Sequence, residues 1–203
     1  MVLDIFSRAL NNMWPMMAIF LCVVITIRIA YLSMHHKKIT IYKEILGLTF
    51  IIYMLLLFEL LTATDTNNYH GFNITPFAEI SRYGFGTRLF YINVVGNILI
   101  FVPFGLFIAG YLKAKKVYPV FIVSLIISTT VELVQLKIGR SFDIDDILLN
   151  VAGAVFGYLL FKLLKSLKDK LPEFLKKDFI YNILSVILFG LLIYWLANRI
   201  GII

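Results

Sequence analysis

Glu132-Leu-Val-Gln135-Leu-Lys-Ile-Gly-Arg140-Ser-Phe-Asp143-Ile-Asp145-Asp146-Ile-Leu-Leu-Asn150-Val-Ala-Gly153-Ala-Val-Phe-Gly157 sets four carboxylates, two amides and an arginine between two apolar runs. The rest of the chain makes that placement costly. Of its 203 residues, 61% are hydrophobic and 15% charged, and the mean hydropathy is +0.90. A soluble domain is about 45–50% apolar. The composition therefore implies an integral membrane protein of the cell membrane, multi-pass. Its length allows a single membrane domain over residues 1–203, and no stretch has the composition of a linker.

A membrane-spanning helix needs about 20 mostly apolar residues. Six runs qualify, at roughly Trp14–Ser33, Glu44–Thr62, Leu89–Leu112, Val117–Leu136, Ile147–Leu164 and Phe179–Asn198. Lipid offers no partner to bare backbone groups, so each is expected to be helical. The expected fold is an all-α polytopic bundle of about six transmembrane helices. Cys22, the single cysteine, lies inside an apolar run and reads as a small hydrophobe. Asp4 and Arg8 precede the first run with no small-residue cleavage site after it, unlike a cleavable signal.

The net charge of +7 matters less than its distribution. Lys37, Lys38 and Lys43 lie between runs one and two, and Lys113, Lys115 and Lys116 between three and four. Lys162, Lys165, Lys168, Lys170, Lys176 and Lys177 lie between five and six. The other side holds Arg8, Arg82, Arg88, Lys137, Arg140 and Arg199, and Arg28 is expected to snorkel to the lysine side. The positive-inside rule then puts the lysine loops in the cytoplasm and both termini outside. Basic residues with this distribution report topology and argue against a nucleic-acid partner. Residues 1–13 are weakly amphipathic, which fits a segment on the outer surface. The 162–178 stretch reads as a basic helical segment on the inner leaflet.

That topology fixes depth. Asn93 and Asn97, four apart, are expected on one face of span three, near its outer end. Glu132 and Gln135 fall in the last two turns of span four. Asp146 and Asn150 open span five, and Glu59 lies near the outer end of span two. Ionisable groups inside a bilayer normally face a bundle interior or a wet cavity. Spans three, four and five are therefore expected to meet around a polar pocket open to the outside. The spacing points to Asn93, Asn97, Glu132, Gln135, Arg140, Asp143, Asp146 and Asn150 as its ligand-binding residues. Phe101-Val-Pro-Phe-Gly105 would form the floor, with a kink at Pro103. Gly153 and Gly157 make a small-residue face open to another helix, and permit self-association. Helix starts beside Arg82, Arg88 and Arg140 suit an anionic head group.

Plainer roles compete for the same residues. Asp143, Asp145 and Asp146 fit an N-cap and first turn. Glu132, Gln135, Asn93 and Asn97 fit hydrogen bonding between helices, and Glu132 with Arg140 fits a rim ion pair. Asn73-Ile-Thr75 matches a glycosylation triplet, but Asn73-Ile-Thr-Pro76-Phe77 reads better as a turn with an apolar plug. No metal-binding spacing, cofactor motif or standard catalytic motif occurs in the sequence. His35, His36 and His70 are loop residues far from the cluster. Any enzyme built here must use carboxylates, with Glu132 and Asp146 as the candidate acid and base.

Asn73-Ile-Thr-Pro-Phe77, Asn93-Val-Val-Gly-Asn97-Ile-Leu-Ile-Phe-Val-Pro103-Phe-Gly105, Glu132-Leu-Val-Gln135, Arg140-Ser-Phe-Asp143-Ile-Asp145-Asp146 and Asn150-Val-Ala-Gly153 together resemble the VanZ-like family, over roughly residues 45–165. The resemblance implies a contribution to resistance to teicoplanin, a lipid-tailed glycopeptide, in Gram-positive bacteria. It supplies a phenotype and leaves mechanism to the residues. One expectation is an outward pocket holding an amphiphile, such as a lipid-linked cell-wall precursor or a lipoglycopeptide, alongside membrane lipid. A second is an intramembrane enzyme acting on an envelope lipid head group. The third is a helical adaptor whose polar core is structural.

Overall fold

The computed structural model describes residues 2–36, 39–62 and 71–200. Lys37, Lys38 and His70 lie outside the described residues. The chain divides into two compact units, Met1–Ala63 with Leu171–Ile203, and Thr64–Lys170.

The first unit contains α1 (Val2–Met34), α2 (Ile41–Thr62) and α8 (Asp178–Ile200), with a 3₁₀ turn at Glu173–Lys176. Residues 2–13 continue α1 as helix through Pro15 without a break. Met13, Met17 and Ile52 form a buried apolar cluster with Leu21, Leu55, Leu56 and Phe189 packed on it. The Tyr42 amide donates to Asn182 Oδ1 at 3.0 Å, tying the start of α2 to α8. Arg28, expected to snorkel toward the lysine side, pairs with Glu44 across the α1–α2 turn.

The second unit contains α3 (Ala78–Arg82), α4 (Arg88–Phe90), α5 (Gly96–Tyr111), α6 (Tyr118–Lys137) and α7 (Ile144–Lys170). A π-helical turn at Tyr91–Val95 joins α4 to α5, making one helix over Arg88–Tyr111. α5 continues as helix through Pro103. Two residues of parallel strand, β1 (Phe72–Asn73) and β2 (Phe142–Asp143), pair Phe72 with Phe142 and Asn73 with Asp143. Hydropathy alone places both segments in loops.

Among the described residues, five helices are long and apolar enough to cross a membrane: Met13–Met34, Ile41–Leu61, Arg88–Tyr111, Tyr118–Lys137 and Ile144–Lys170. The sixth expected span coincides with α8, whose Asp178–Tyr194 portion forms a shorter apolar helix. α6 shows why such helices belong in lipid. It buries Ser124, Ser128, Glu132 and Gln135 and exposes Phe121, Ile122, Ile126 and Leu133. The polar positions are spaced three and four apart, so they form one stripe facing protein. The apolar face points outward, the reverse of a soluble helix.

Glycine sets the closest contact in this unit. A Cβ built on Gly105 would lie 1.9 Å from the Ala154 carbonyl oxygen, one on Gly153 2.1 Å from that of Ile98, and one on Gly157 2.1 Å from that of Val102. α5 and α7 therefore touch backbone to backbone, as small residues allow. The Gly153/Gly157 face expected to permit self-association is occupied by α5 of the same chain. Overpacking such a contact costs about 1–3 kcal/mol, so Gly157→Ala should lower the unfolding midpoint in detergent. A Cβ on Gly47 would have nothing within 4 Å. Gly47→Ala should therefore leave that midpoint unchanged or raise it, by up to ~1 kcal/mol of helix propensity. Equal midpoints for the two variants would contradict this packing.

Candidate functional site

The site lies where α5 begins, α6 ends and α7 begins. α6 stops at Gly139, whose φ of 93° suits glycine. The Gly139 and Arg140 amides fold back onto the Leu136 and Gln135 carbonyls at 3.3 and 2.9 Å, closing a Schellman turn. The chain then has only four residues before α7. Its amides leave the helix ladder and need acceptors within the protein.

Carboxylates supply them in sequence. Glu132 Oε2 accepts the Asp143 amide at 2.9 Å. Asp143 Oδ1 accepts the Asp145 amide at 2.8 Å, the N-cap bond of α7. Asp145 reaches a separate segment: Oδ1 accepts the Phe77 amide at 2.5 Å and Oδ2 that of Ile80 at 3.1 Å. These amides open α3, so Asp145 caps a helix 65 residues and more away in sequence. Phe77 holds the left-handed conformation, φ 66°, that lets its amide turn inward. Asn73 completes the fastening of this segment, residues 71–82, a strap over the start of α7. Its Nδ2 donates to both Asp143 oxygens at 3.1 and 3.2 Å, and its Oδ1 accepts the Thr75 amide at 3.2 Å. The triplet Asn73-Ile-Thr75 is thus an Asx turn locked to α7.

The remaining bonds join helices. Asn97 Nδ2 on α5 donates to Asp146 Oδ1 on α7 at 2.6 Å. One turn further along α7, Asn150 Nδ2 donates to Ser128 Oγ on α6 at 3.0 Å. Three helices thus contribute to one polar cluster, and Glu132, Gln135, Asp143, Asp145 and Asn150 in it are all buried. Among its buried atoms, Asn150 Oδ1 has no hydrogen-bond partner, although Asn150 is only 2% exposed. Such an atom loses its hydration without compensation, at about 1–3 kcal/mol.

Of the expected site residues, Asn97, Glu132, Gln135, Asp143, Asp146 and Asn150 lie in this cluster, and Arg140 is half-buried beside it. Asn93 is not joined to it. Its Nδ2 turns back to the Leu89 carbonyl at 3.1 Å. A π-helical turn runs over 91–95, containing Asn93 and ending before Asn97. Phe101 and Phe104 are fully buried with ring centroids 5.6 Å apart. Glu59 belongs to the other unit. The candidate acid and base, Glu132 and Asp146, both accept bonds at helix junctions. Among the described residues, no group of His, Cys, Asp and Glu could hold a metal ion.

Sequence reasoning missed Ser124 and Ser128, both 0% exposed, although each repeats the Glu132 face at four-residue intervals. It also missed Asp145 as the clamp on the strap, because nothing local in sequence announces a partner so distant.

A bundle of apolar helices with an inward polar junction is the plan of a multi-pass membrane protein. The family model described as VanZ/LLP1 matches residues 45–165, and the chain belongs to that family. It is 32% identical over 100 residues to "Protein VanZ" of Enterococcus faecium, a match covering 47% of this chain and 56% of that protein. The chain thus spans about half the length of the curated relative it matches. No solved structure matches.

A carboxylate accepting two backbone amides is a charge-assisted arrangement worth about 1.5–3 kcal/mol per bond. Asp145→Asn puts an amide N–H against one of those donors. The variant should open residues 71–82 to proteolysis at Phe72 and Phe77 at least tenfold faster, by roughly 1.4 kcal/mol of local opening. Cleavage at the parental rate would show that Asp145 does not hold the strap.

Proposed function

We propose that this VanZ-family protein contributes to resistance against glycopeptides such as teicoplanin by binding the head group of an amphiphilic envelope molecule at the junction of α5, α6 and α7. The observation that carries the reading is Asn150. Its Nδ2 is fixed by buried Ser128, and its Oδ1 is a buried acceptor with no partner. An acceptor held in place this way suits a hydroxyl or amide hydrogen of a ligand. The surrounding Glu132, Asp143 and Asp146 favour the same donors over a bare anion. Lipid-linked cell-wall precursors and lipoglycopeptides both carry sugar hydroxyls and peptide amides on an apolar chain. The lysine distribution supports an outward-facing junction, where such molecules are met. The buried state of the cluster implies that the 71–82 strap moves when a ligand enters.

The test is protection of a susceptible Gram-positive host. Asn150→Leu removes the acceptor and fills its volume, so ligand affinity should fall about fivefold, the equivalent of ~1 kcal/mol for one hydrogen bond. The teicoplanin concentration that stops growth should drop toward that of cells with empty vector, at parental abundance in the membrane. Arg140→Ala and Glu132→Gln should act in the same direction. Full protection by Asn150→Leu would contradict a ligand at this atom. A joint loss of abundance and thermal stability in all three variants would instead make the cluster purely structural.

A further inference from the structure

The other unit holds a polar feature unrelated to the junction. Arg28 sits on α1 about 9 Å along the axis from Met34, at 1.5 Å per residue. Glu44, in the first turn of α2, grips its guanidinium side-on. Nε donates to Oε2 at 2.8 Å and Nη2 to Oε1 at 2.9 Å. A guanidinium carries five N–H donors. This grip uses two, and the Nη1 end has no hydrogen-bond partner among the described residues. The side chain is 50% exposed on a helix whose neighbouring positions are apolar. Its Cζ lies 5.6 Å from the centre of the Tyr31 ring. A shallow, open groove lies here, lined by Val24, Ile27, Arg28 and Tyr31. Those four positions recur at three- and four-residue intervals, so the groove follows one face of α1.

We propose that this groove is an anionic phospholipid site. The phosphodiester sits on the open Nη1–Nη2 edge of Arg28, and an acyl chain lies along Ile27 and Val24. Three observations favour that occupant over an exposed ion pair alone. A planar guanidinium edge matches two phosphate oxygens at once. Glu44 fixes the guanidinium in advance, which lowers the ordering cost of binding. Lys37, Lys38 and Lys43 follow closely in sequence, and a basic cluster at a span's end attracts anionic lipid. The apolar part of the groove runs from Arg28 into the span, as a lipid chain does. The site lies within α1 and α2, so it stands or falls apart from the junction.

The experiment uses the full-length protein in lipid nanodiscs with phosphatidylglycerol carrying a photoactivatable group in its acyl chain, followed by peptide mapping. Adducts should concentrate on Val24 and Ile27, several-fold above those from the same probe built on phosphatidylcholine. Arg28→Gln should reduce labelling to the phosphatidylcholine level, and Glu44→Gln, which loses only the advance positioning of the guanidinium, should reduce it less. Ile27→Trp fills the groove without touching the ion pair, and should displace the label if Arg28→Gln does not fold. Equal labelling by the two lipids would overturn the proposal. So would labelling that survives Arg28→Gln or Ile27→Trp. Equal loss in Arg28→Gln and Glu44→Gln would also overturn it, marking the pair as a clasp between helices.

Discussion

Backbone amides outside a helix need acceptors wherever water is scarce, and this requirement organises the junction of α5, α6 and α7. The turn between α6 and α7 is too short to form its own ladder. Glu132, Asp143 and Asp145 act as a relay, each accepting the amide of a later or distant residue. The relay begins inside α6, crosses the start of α7 and ends on the strap at Phe77 and Ile80. Costly side chains are thereby converted into the fastening of an irregular segment. Their burial is explained by the bonds they make, before any ligand is invoked.

Packing supports the relay from the side. Gly105, Gly153 and Gly157 bring α5 and α7 into backbone contact. That closeness lets Asn97 span the gap to Asp146 at 2.6 Å. α6 completes the junction with its inward stripe of Ser124, Ser128, Glu132 and Gln135. Nearly all of this hydrogen-bonding capacity is used within the protein. Asn150 Oδ1 stands apart because it is buried and without a partner, and it therefore directs the functional reading to one atom. Membership of the VanZ/LLP1 family agrees with an envelope setting, while the chemistry proposed rests on the cluster.

Much of this was legible in the sequence because membranes penalise polar groups so steeply. Asn97, Glu132 and Asn150 had to face inward, and each does. One helix followed closely from hydropathy: the run expected at Val117–Leu136 is the helix Tyr118–Lys137. Other features depend on physics that spacing does not carry. Asn93 bonds to the Leu89 carbonyl of its own helix rather than to the cluster. Asp145 looked like one acid in a first turn, and its real partners lie in a segment read as loop. Ser124 and Ser128 were passed over because hydroxyls are cheap enough in a helix to look incidental. Arg28 was expected to reach toward the lysine side, and the partner it meets there, Glu44 at the start of α2, was not foreseen.

The relay is tested most directly by hydrogen exchange across residues 71–82 in a Glu132→Ala variant. Glu132 makes no hydrogen bond to that strap; it acts through Asp143 and Asp145. Faster exchange at Phe77 and Ile80, together with Asp143, is the predicted result. Exchange that rises at Asp143 alone, leaving Phe77 and Ile80 at parental rates, would contradict it and reduce the carboxylates to separate local caps.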